Sequence, residues 1–460
     1  MGWHRRCTPQ RTRANAAAAA AGWTRPGVGA AAYRRTLMHD STAQHALPKL
    51  THASKLRGWR LLRETFERQM KRRMTGSPVQ NAHFSKILLA TVLFHRYTVF
   101  QRMLKMAKAM KSLDSDVLAK AISALQGHLA DVPFASLEAG TPAPDPGNRP
   151  DWIGKFRSPA GERLLILDAR ASGQPRSARN AANQLLRYVQ KFPNAVPIFS
   201  APYISSDAAD LLSCEGVNYV DLAGNCRLVF DTVYIRRQDW PSSAAQRRDL
   251  RSIYSPKAER VLRVLLQEPK RKWKVQALAT AAGVSLGQAS NVKLLLEERE
   301  WLSRDAHGVV LAQPAKLLEE WAQNYRFSRN AVRDFYTLDS PASVEAGLAA
   351  ACRASKIAYA LTGFSAAARM APMVRYQRAM SYVVGDVDEI ARRLDLKSVT
   401  SGANISLVEP YDAGVLTGSG EVDGIRTVSA IQTYLDLLSF KGRGEEAAHA
   451  ILEHMVKPHW

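Results

Sequence analysis

The sequence is poor in acidic residues and in cysteine. Its 460 residues include 64 Lys or Arg but only 41 Asp or Glu, so the formal net charge is +23. A positive surplus of this size favours a polyanionic partner, of which nucleic acid is the commonest. The four cysteines are scattered without CxxC or Cys/His spacing. Their spacing argues against a disulfide scaffold or a zinc ribbon and fits a reducing cytoplasm.

Long apolar runs are also missing. The longest one near the start, Ile87–Phe94, is followed by His95 and Arg96. It is far shorter than the roughly 20 residues that cross a bilayer, so we exclude an integral membrane protein. The apolar fraction of 46% is ordinary for a soluble globular protein. At about 150 residues per domain, the length predicts about three domains.

The positive charge is concentrated at the start of the chain. Residues 1–75 hold 16 Lys or Arg against three acidic residues and lack hydrophobic periodicity until about Leu61. Two interpretations stay open: an unstructured arm (or sequence ahead of a later start codon), and an arm that binds nucleic acid. Residues 76–138 are predicted to be a helical segment, because apolar residues recur there at helical spacing.

Residues 139–245 are predicted to form an α/β domain. After a turn-rich linker at 139–150, the run Arg163–Asp168 is typical of a buried strand and Asn180–Gln190 of a helix. Further strands are predicted at 197–200, 217–221 and 227–230, with a helix at 207–212. This alternation of strands and helices indicates an α/β architecture.

Residues 250–315 are predicted to form a winged helix–turn–helix. Three helices are expected at 257–267, 275–281 and 286–300, and Ser285 is placed to cap the third one. Residues 301–312 then predict two short strands, which would be the wing. In residues 316–460, helices alternate with strands such as Ile405–Glu409. The chain is therefore expected to be a multidomain α/β and α+β protein with a C-terminal α/β domain.

Polar side chains in the first α/β domain form a recognisable pattern. Asp151 follows a proline, Asp168 and Arg170 stand at the end of the predicted strand, and Gln184 and Tyr188 lie four apart on the next helix. The pattern resembles the PD-(D/E)xK motif of restriction-endonuclease-like nucleases, with the Q-x-x-x-Y addition of their exonuclease branch. The resemblance implies catalytic roles for Asp151, Asp168, Arg170 and Gln184. It also implies a Mg²⁺ site at Asp151 and Asp168, since two converging carboxylates suit that ion.

Arg170 departs from the pattern, because a lysine is expected at its position. Arginine keeps the positive charge, but it is planar, bulkier and unable to release a proton. We therefore predict a nuclease-like fold that has lost cleavage and needs no cofactor. An active enzyme, which would need Mg²⁺, is the alternative.

Several short runs resemble known bacterial proteins. Proteins that join this nuclease-like domain to a winged helix have runs similar to Ser172–Arg176, Ala201–Ser205 and Asp221–Cys226. The runs Leu361–Ala367 and Gln432–Asp436 resemble the C-terminal domain of the AbiEi-family antitoxins. Those proteins are winged-helix transcriptional autoregulators of type IV toxin–antitoxin systems. The resemblance implies DNA binding and neutralisation of a nucleotidyltransferase-like toxin without a stable complex.

The function predicted from these features is that of a cytoplasmic, bacterial transcriptional regulator that binds double-stranded DNA at its own operon. The helix at 286–300 would enter the major groove. The side chains expected to contact base edges are Gln288, Ser290 and Asn291. The side chains expected to contact phosphates are Arg271, Lys272, Lys274 and Lys293. The alternatives are a Mg²⁺-dependent DNA nuclease guided by the winged helix, and a protein-interaction adaptor.

Two smaller motifs allow a functional and a structural interpretation. Asp221 and Asn225 bracket a glycine turn, which suits a ligand-facing loop or, in preference, a corner between two strands. Asp386 and Asp388 are similar to the paired acids of nucleotidyltransferases. Without a preceding Gly-Ser pair, capping of the helix that begins at Val387 is the preferred interpretation.

Overall fold

The computed structural model describes residues 116–130, 132–142, 150–192, 194–238, 250–371 and 376–460. The predicted basic arm at 1–75, and the predicted helical segment up to residue 115, lie outside the described residues. The described part is a mixed α/β structure with two seven-stranded sheets and a two-stranded hairpin. No helix in this part of the chain is both long and apolar enough to cross a membrane.

The first sheet contains seven strands in sequence order. They are β1 (Ser136–Pro142), β2 (Trp152–Ser158), β3 (Gly161–Ala169), β4 (Ala195–Ala201), β5 (Asn218–Asp221), β6 (Cys226–Phe230) and β7 (Val233–Arg237). The three central strands β3, β4 and β5 are parallel, and the outer pairs are antiparallel. The predicted strands of this domain are confirmed, whereas β1, β2 and β7 were not predicted. The predicted boundary between residues 138 and 139 falls inside β1.

Helices cover both faces of this sheet. The helix α1 (116–130) packs on one face, where Leu125 contacts the cluster formed by Trp152, Leu165 and Leu167. The helices α2 (Pro175–Val189) and α3 (Ser206–Cys214) pack on the opposite face, in a cluster that includes Ile166. Because successive side chains of a strand point to opposite faces, the apolar run of β3 supplies both cores.

Three helices and a hairpin follow. They are α4 (Pro256–Gln267), α5 (Val275–Ala281), α6 (Leu286–Glu298), β8 (Leu302–Asp305) and β9 (Gly308–Leu311). All five elements lie where the sequence predicts them. The Ser285 side chain caps α6 by accepting a hydrogen bond from the Gln288 amide, and Trp273 pairs with Val309 as a further bridge on the hairpin. We refer to residues 256–311 as the three-helix unit.

The second sheet has the strand order β13-β10-β14-β12-β11-β16-β15. Its strands are β10 (Ala331–Tyr336), β11 (Ala358–Leu361), β12 (Ala379–Val384), β13 (Lys397–Ser398), β14 (Ile405–Glu409), β15 (Gly420–Val422) and β16 (Ile425–Thr427). Its helices are α7 (Pro314–Asn324), α8 (Pro341–Ser355), α9 (Gly363–Met370), α10 (Val387–Arg393), α11 (Ala430–Leu437) and α12 (Arg443–Ile451). Together, residues 314–460 form the C-terminal domain.

The three-helix unit and the C-terminal domain share one hydrophobic core. A single cluster of buried residues contains Leu265 of α4, Leu296 of α6, Trp321 of α7, Leu435 of α11 and Ile451 of α12. The predicted boundary between residues 315 and 316 falls inside α7, whose apolar face is buried in this core. A second cluster lies between the second sheet and the helices α8 and α10.

Candidate nucleic-acid interface

The helix α6 has one buried face and one open face. Ala289, Val292 and Leu296 are fully buried against the rest of the three-helix unit. Two leucines elsewhere on the helix, Leu286 and Leu294, are exposed, with exposed fractions of 50% and 55%. A helix with an open outer face can be laid in the major groove of DNA.

The three side chains predicted to contact base edges lie on or next to this open face. Asn291 is exposed, and its amide donates a hydrogen bond to Ser252 Oγ at 3.3 Å. Gln288 and Ser290 are partly exposed. The structure therefore brings the three polar side chains together in the first half of α6.

The loop at 270–274 places basic side chains beside the hairpin. Arg271 stacks on the ring of Trp273 at 3.8 Å and pairs with Glu268 at 2.9 Å. Lys272 pairs with Asp305 of β8 at 2.5 Å, and this hydrogen bond, with those from two hairpin amides, lowers the pKa of Asp305. Lys274 is exposed. Ion pairs at such exposed sites are worth only about 0–1 kcal/mol, so phosphates can compete for these cations.

Lys293 is placed differently from the other predicted phosphate contacts. Its side chain is only 13% exposed, and it pairs with Glu297 at 2.8 Å. This ion pair must open before Lys293 can reach a phosphate. The position four residues before an acid on the same helix is the signal in the sequence that predicts such a pair.

The far end of α6 is covered by the first α/β domain. Arg179 of α2 donates to both carboxylate oxygens of Glu300, at 2.9 and 3.0 Å. Arg176 lies 3.7 Å from Glu297, and Ser172 donates to Glu298 at 3.4 Å. The first half of α6 is thus open, while its end is held by the neighbouring domain.

The four residues of the nuclease-like pattern lie together. Asp151 stands opposite Asp168 in the antiparallel β2–β3 pair, where its amide donates to the Leu167 carbonyl at 2.9 Å. Arg170 pairs with Asp168 in a fork-like arrangement, in which Nη2 donates to Oδ2 at 2.8 Å and Nε lies 2.6 Å from Oδ1. The same Nη2 donates to Gln184 Oε1 at 3.1 Å. The spatial cluster that the motif predicts is therefore present.

The Asp168 carboxylate of this cluster is paired with a cation of the chain itself. Asp168 is 1% exposed and directs both carboxylate oxygens at the guanidinium, while one oxygen of Asp151 accepts from the Ala169 amide at 2.8 Å. A fixed cation thus holds the carboxylate that a metal would need. Among the described residues, no group of three or more His, Cys, Asp or Glu could hold a metal ion.

The two smaller motifs have structural roles. The buried Asp221 carboxylate accepts from the amides of Ala223, Gly224 and Asn225 at 2.8–2.9 Å, so it closes the turn before β6. Asp386 caps α10 by accepting from the Glu389 amide at 3.0 Å. Both preferred structural interpretations are confirmed.

Sequence reasoning missed a buried polar network behind α4. Asp436 of α11 is fully buried and accepts hydrogen bonds from Tyr325 at 2.6 Å, from Tyr382 at 3.1 Å, from the Gln432 amide at 2.8 Å and from Thr362. Burial raises the pKa of Asp436 to about 6, although these hydrogen bonds oppose the shift. The i, i+4 spacing of Gln432 and Asp436 in an otherwise apolar helix was the available signal.

Arg263 of α4 joins this network to the three-helix unit. It is fully buried and donates to Gln432 Oε1 from Nε at 2.9 Å and from Nη2 at 2.7 Å. Its guanidinium lies over the Trp321 ring at 5.0 Å. The first helix of the three-helix unit is therefore hydrogen-bonded into the interior of the C-terminal domain.

Comparison with known protein families gives one match. Residues 310–457 match the family described as transcriptional regulator, AbiEi antitoxin, type IV TA system. The match confirms the resemblance that the C-terminal motifs indicate. It begins in β9 and covers the second sheet with its helices, whereas α4, α5, α6 and the first sheet lie outside it. No curated protein and no solved structure matches the chain.

Proposed function

Because residues 310–457 carry the AbiEi antitoxin family domain, we propose that the chain is a DNA-binding transcriptional regulator of that type. It acts in the cytoplasm on its own operon and counteracts a nucleotidyltransferase-like toxin encoded nearby, without a stable complex. The three-helix unit is its winged helix–turn–helix, and the first α/β domain is a nuclease-like domain that no longer cleaves.

The open first half of α6 is the observation that carries this proposal. It presents Gln288, Ser290 and Asn291 to the outside, next to a basic loop and a hairpin. Residues at the N-terminal end of a recognition helix read base edges in helix–turn–helix proteins, while neighbouring cations position the protein on the backbone. The three-helix unit shares its core with the part of the chain that matches the antitoxin family, which supports this proposal.

The direct test is binding of the full chain to the DNA upstream of its own reading frame, measured by fluorescence anisotropy. We expect tighter binding to this duplex than to a scrambled duplex of the same composition. If about six phosphates are contacted, affinity should fall by roughly 10³-fold between 50 and 200 mM salt. Equal affinities for both duplexes at physiological salt would reject sequence-specific regulation.

Two variants separate base contacts from phosphate contacts. Asn291→Ala should remove about 1–3 kcal/mol of discrimination between the upstream and scrambled duplexes, because Asn pairs with adenine through two hydrogen bonds. Lys272→Ala should weaken binding to both duplexes equally and reduce the salt slope by about one. Equal losses on both duplexes for Asn291→Ala would show that α6 does not read bases.

The antitoxin role needs its own experiment. Co-expression of the chain with the neighbouring toxin gene should restore growth, and co-purification should yield no stable complex. A variant with impaired DNA binding, such as Lys272→Ala, should still restore growth if the C-terminal domain carries neutralisation. Growth arrest that the chain does not relieve would reject the antitoxin role while leaving DNA binding intact.

The second candidate function is a Mg²⁺-dependent DNA nuclease at Asp151, Asp168, Arg170 and Gln184. The close approach of these residues favours it, whereas the Arg170–Asp168 fork opposes it. We expect no cleavage of plasmid DNA by the native chain in Mg²⁺ or Mn²⁺. Arg170→Lys is the informative variant, and any nicking that it gains should disappear in Asp168→Asn. Native cleavage that is lost in Asp151→Asn would establish the nuclease instead.

A further inference from the structure

The first turn of α6 has two features that the fold does not use. Leu286 is 50% exposed and contributes to none of the four hydrophobic clusters of the described residues, although Val284 and Leu295 on either side of it pack against the core. A Cβ added to Gly287 would meet no atom within 4 Å. An apolar side chain and an open backbone thus lie together on the outer surface.

Helix formation does not explain the glycine. Glycine is a poor helix former, and the backbone of Gly287 has no positive φ that would demand it. Leucine favours the helix, but half of the Leu286 side chain stays exposed and gains nothing from burial within the fold. A close approach of a partner to this turn accounts for both, because a missing side chain lets the backbone come near and an exposed leucine supplies an apolar contact.

The charge of the three-helix unit favours duplex DNA as that partner. Its exposed loop and hairpin carry Lys270, Arg271, Lys272, Lys274 and Arg304, of which Arg271 and Lys272 pair with Glu268 and Asp305 at exposed sites. Polar side chains that can pair with bases follow at once on α6, at Gln288 and Asn291. In the major groove, the apolar group on a base edge is the C5-methyl of thymine.

We infer that Leu286 packs against a thymine methyl group in the major groove, and that Gly287 allows the helix to come close enough for this contact. This inference rests on the proposed DNA-binding function and adds one specificity-determining residue to it. The contact would place a thymine next to the bases that Gln288 and Asn291 contact.

Leu294 provides a matched control on the same helix. It is an exposed leucine of nearly equal exposure, 55%, and it lies eight residues further along the helix. Eight residues correspond to about 12 Å along the helix axis. Because the N-terminal end of a recognition helix contacts the bases, Leu294 should make no comparable contact.

The experiment uses a duplex of 30 base pairs selected by the full chain from a random pool. Each thymine is replaced in turn by uracil, which removes only the methyl group. We expect one of these replacements to weaken binding by the native chain about fourfold, the effect of burying one methyl group. Leu286→Ala should bind the thymine and uracil forms of that duplex equally, and Leu294→Ala should retain the fourfold difference.

Gly287→Ala gives a second test, because it should stabilise the fold while it weakens DNA binding. The added methyl group enters open space and improves helix propensity, so the melting temperature should rise slightly. The same methyl group should reduce the affinity for the selected duplex by about tenfold or more, because it blocks the close approach.

The outcomes separate this inference from the function on which it rests. A selected duplex that binds tightly but shows no loss on any thymine-to-uracil replacement would overturn the inference and leave DNA binding in place. A fourfold loss that persists in Leu286→Ala would assign the methyl contact to another residue. Failure to select any sequence would overturn the proposed function itself.

Discussion

The three-helix unit contacts two neighbours through interfaces of opposite character. Towards the C-terminal domain it shares a continuous hydrophobic core and a buried polar network. Towards the first α/β domain it uses ion pairs whose side chains are mostly exposed to solvent, and Lys316 of the adjoining C-terminal domain adds a further exposed pair with Asp207. No hydrophobic cluster of the described residues contains members of both the first α/β domain and the three-helix unit.

The interface with the C-terminal domain buries its charged side chains. Glu259 and Arg263 of α4 are both fully buried, and Glu259 accepts from Arg329 at 2.7 Å and from Tyr411. Arg260 adds a forked pair with Asp412 at 2.7 and 2.9 Å. Charges removed from water must keep their partners, because an uncompensated buried charge costs several kcal/mol.

The interface with the first α/β domain is held by charges that water can reach. Arg179 and Glu300 are 49% and 34% exposed, and Lys316 and Asp207 are 49% and 38% exposed. Such pairs are weakened by salt and contribute little each. The comparison shows that the three-helix unit and the C-terminal domain share one core, whereas the first α/β domain is joined to them by ion pairs that are mostly exposed.

Truncation of the chain at its shared core should have the largest effect on folding. A fragment of residues 250–460 should melt cooperatively, because it keeps the shared core, whereas a fragment of residues 250–315 should not fold, since it loses Trp321, Leu435 and Ile451 from that core. Circular dichroism melting of both fragments measures this difference. Cooperative melting of the 250–315 fragment would show that the three-helix unit is an independent domain.

Removing the buried cation should give the next largest effect. Arg263→Met leaves Gln432 without its donors and weakens the compensation of Glu259, so the free energy of unfolding should fall by about 3 kcal/mol. Arg179→Met, at the interface with the first α/β domain, is the matched control. It should lower the free energy of unfolding by less than about 1 kcal/mol. Urea denaturation measures both variants. Equal losses would mean that the two interfaces do not differ in character.

The buried carboxyl of Asp436 should make the stability of the chain depend on pH. Because the pKa of Asp436 is raised to about 6, the folded state binds its proton more tightly than the unfolded state does. The stability contributed by this group is therefore fully present below about pH 4 and is lost as the pH rises through about 6. Tyr325 and Tyr382 do not titrate in this range, since burial raises the pKa of each further.

The measurable quantity is the difference in unfolding free energy between the native chain and Asp436→Asn. Relative to Asp436→Asn, the native chain should lose about 2 kcal/mol of unfolding free energy between pH 4 and pH 6.5, because most of the raised-pKa titration of Asp436 falls in this window. A pH-independent difference would place the Asp436 pKa at its ordinary value.

The sequence predicted the three-helix unit closely, because each of its helices has a local signal. The helix α6 begins at Leu286 after a serine cap, where it was expected. The strand β2 was missed although Trp152, Gly154 and Phe156 alternate on its buried face. A glycine at a core position conceals the pattern, and only the structure shows that the Trp152 ring occupies the space that a Cβ of Gly154 would need.

The side-chain contacts that join the domains could not be predicted from local sequence signals. Glu300 lies 121 residues from Arg179 along the chain, and Gln432 lies 169 residues from Arg263. Pairs at such separations leave no local periodicity in a single sequence. The four residues of the nuclease-like cluster were predicted because a motif fixes their spacing, whereas the fork between Arg170 and Asp168 depends on side-chain geometry.

The smallest expected effect concerns the exposed interface and tests whether it positions α6. Arg179→Glu places like charges opposite each other at Glu300, and the reverse change Glu300→Arg does the same with Arg179. Each single variant should lower the free energy of unfolding by less than about 1 kcal/mol at low salt, and this loss should shrink at 0.5 M salt. The double variant restores opposite charges and should recover most of the loss. Chemical denaturation of the three variants measures the coupling, and affinity for the upstream duplex measured in parallel shows whether α6 has moved. A double variant whose loss of stability equals the sum of the two single losses would mean that these two side chains do not interact. The contact between the first α/β domain and the end of α6 would then have to rest on Arg176 and Ser172.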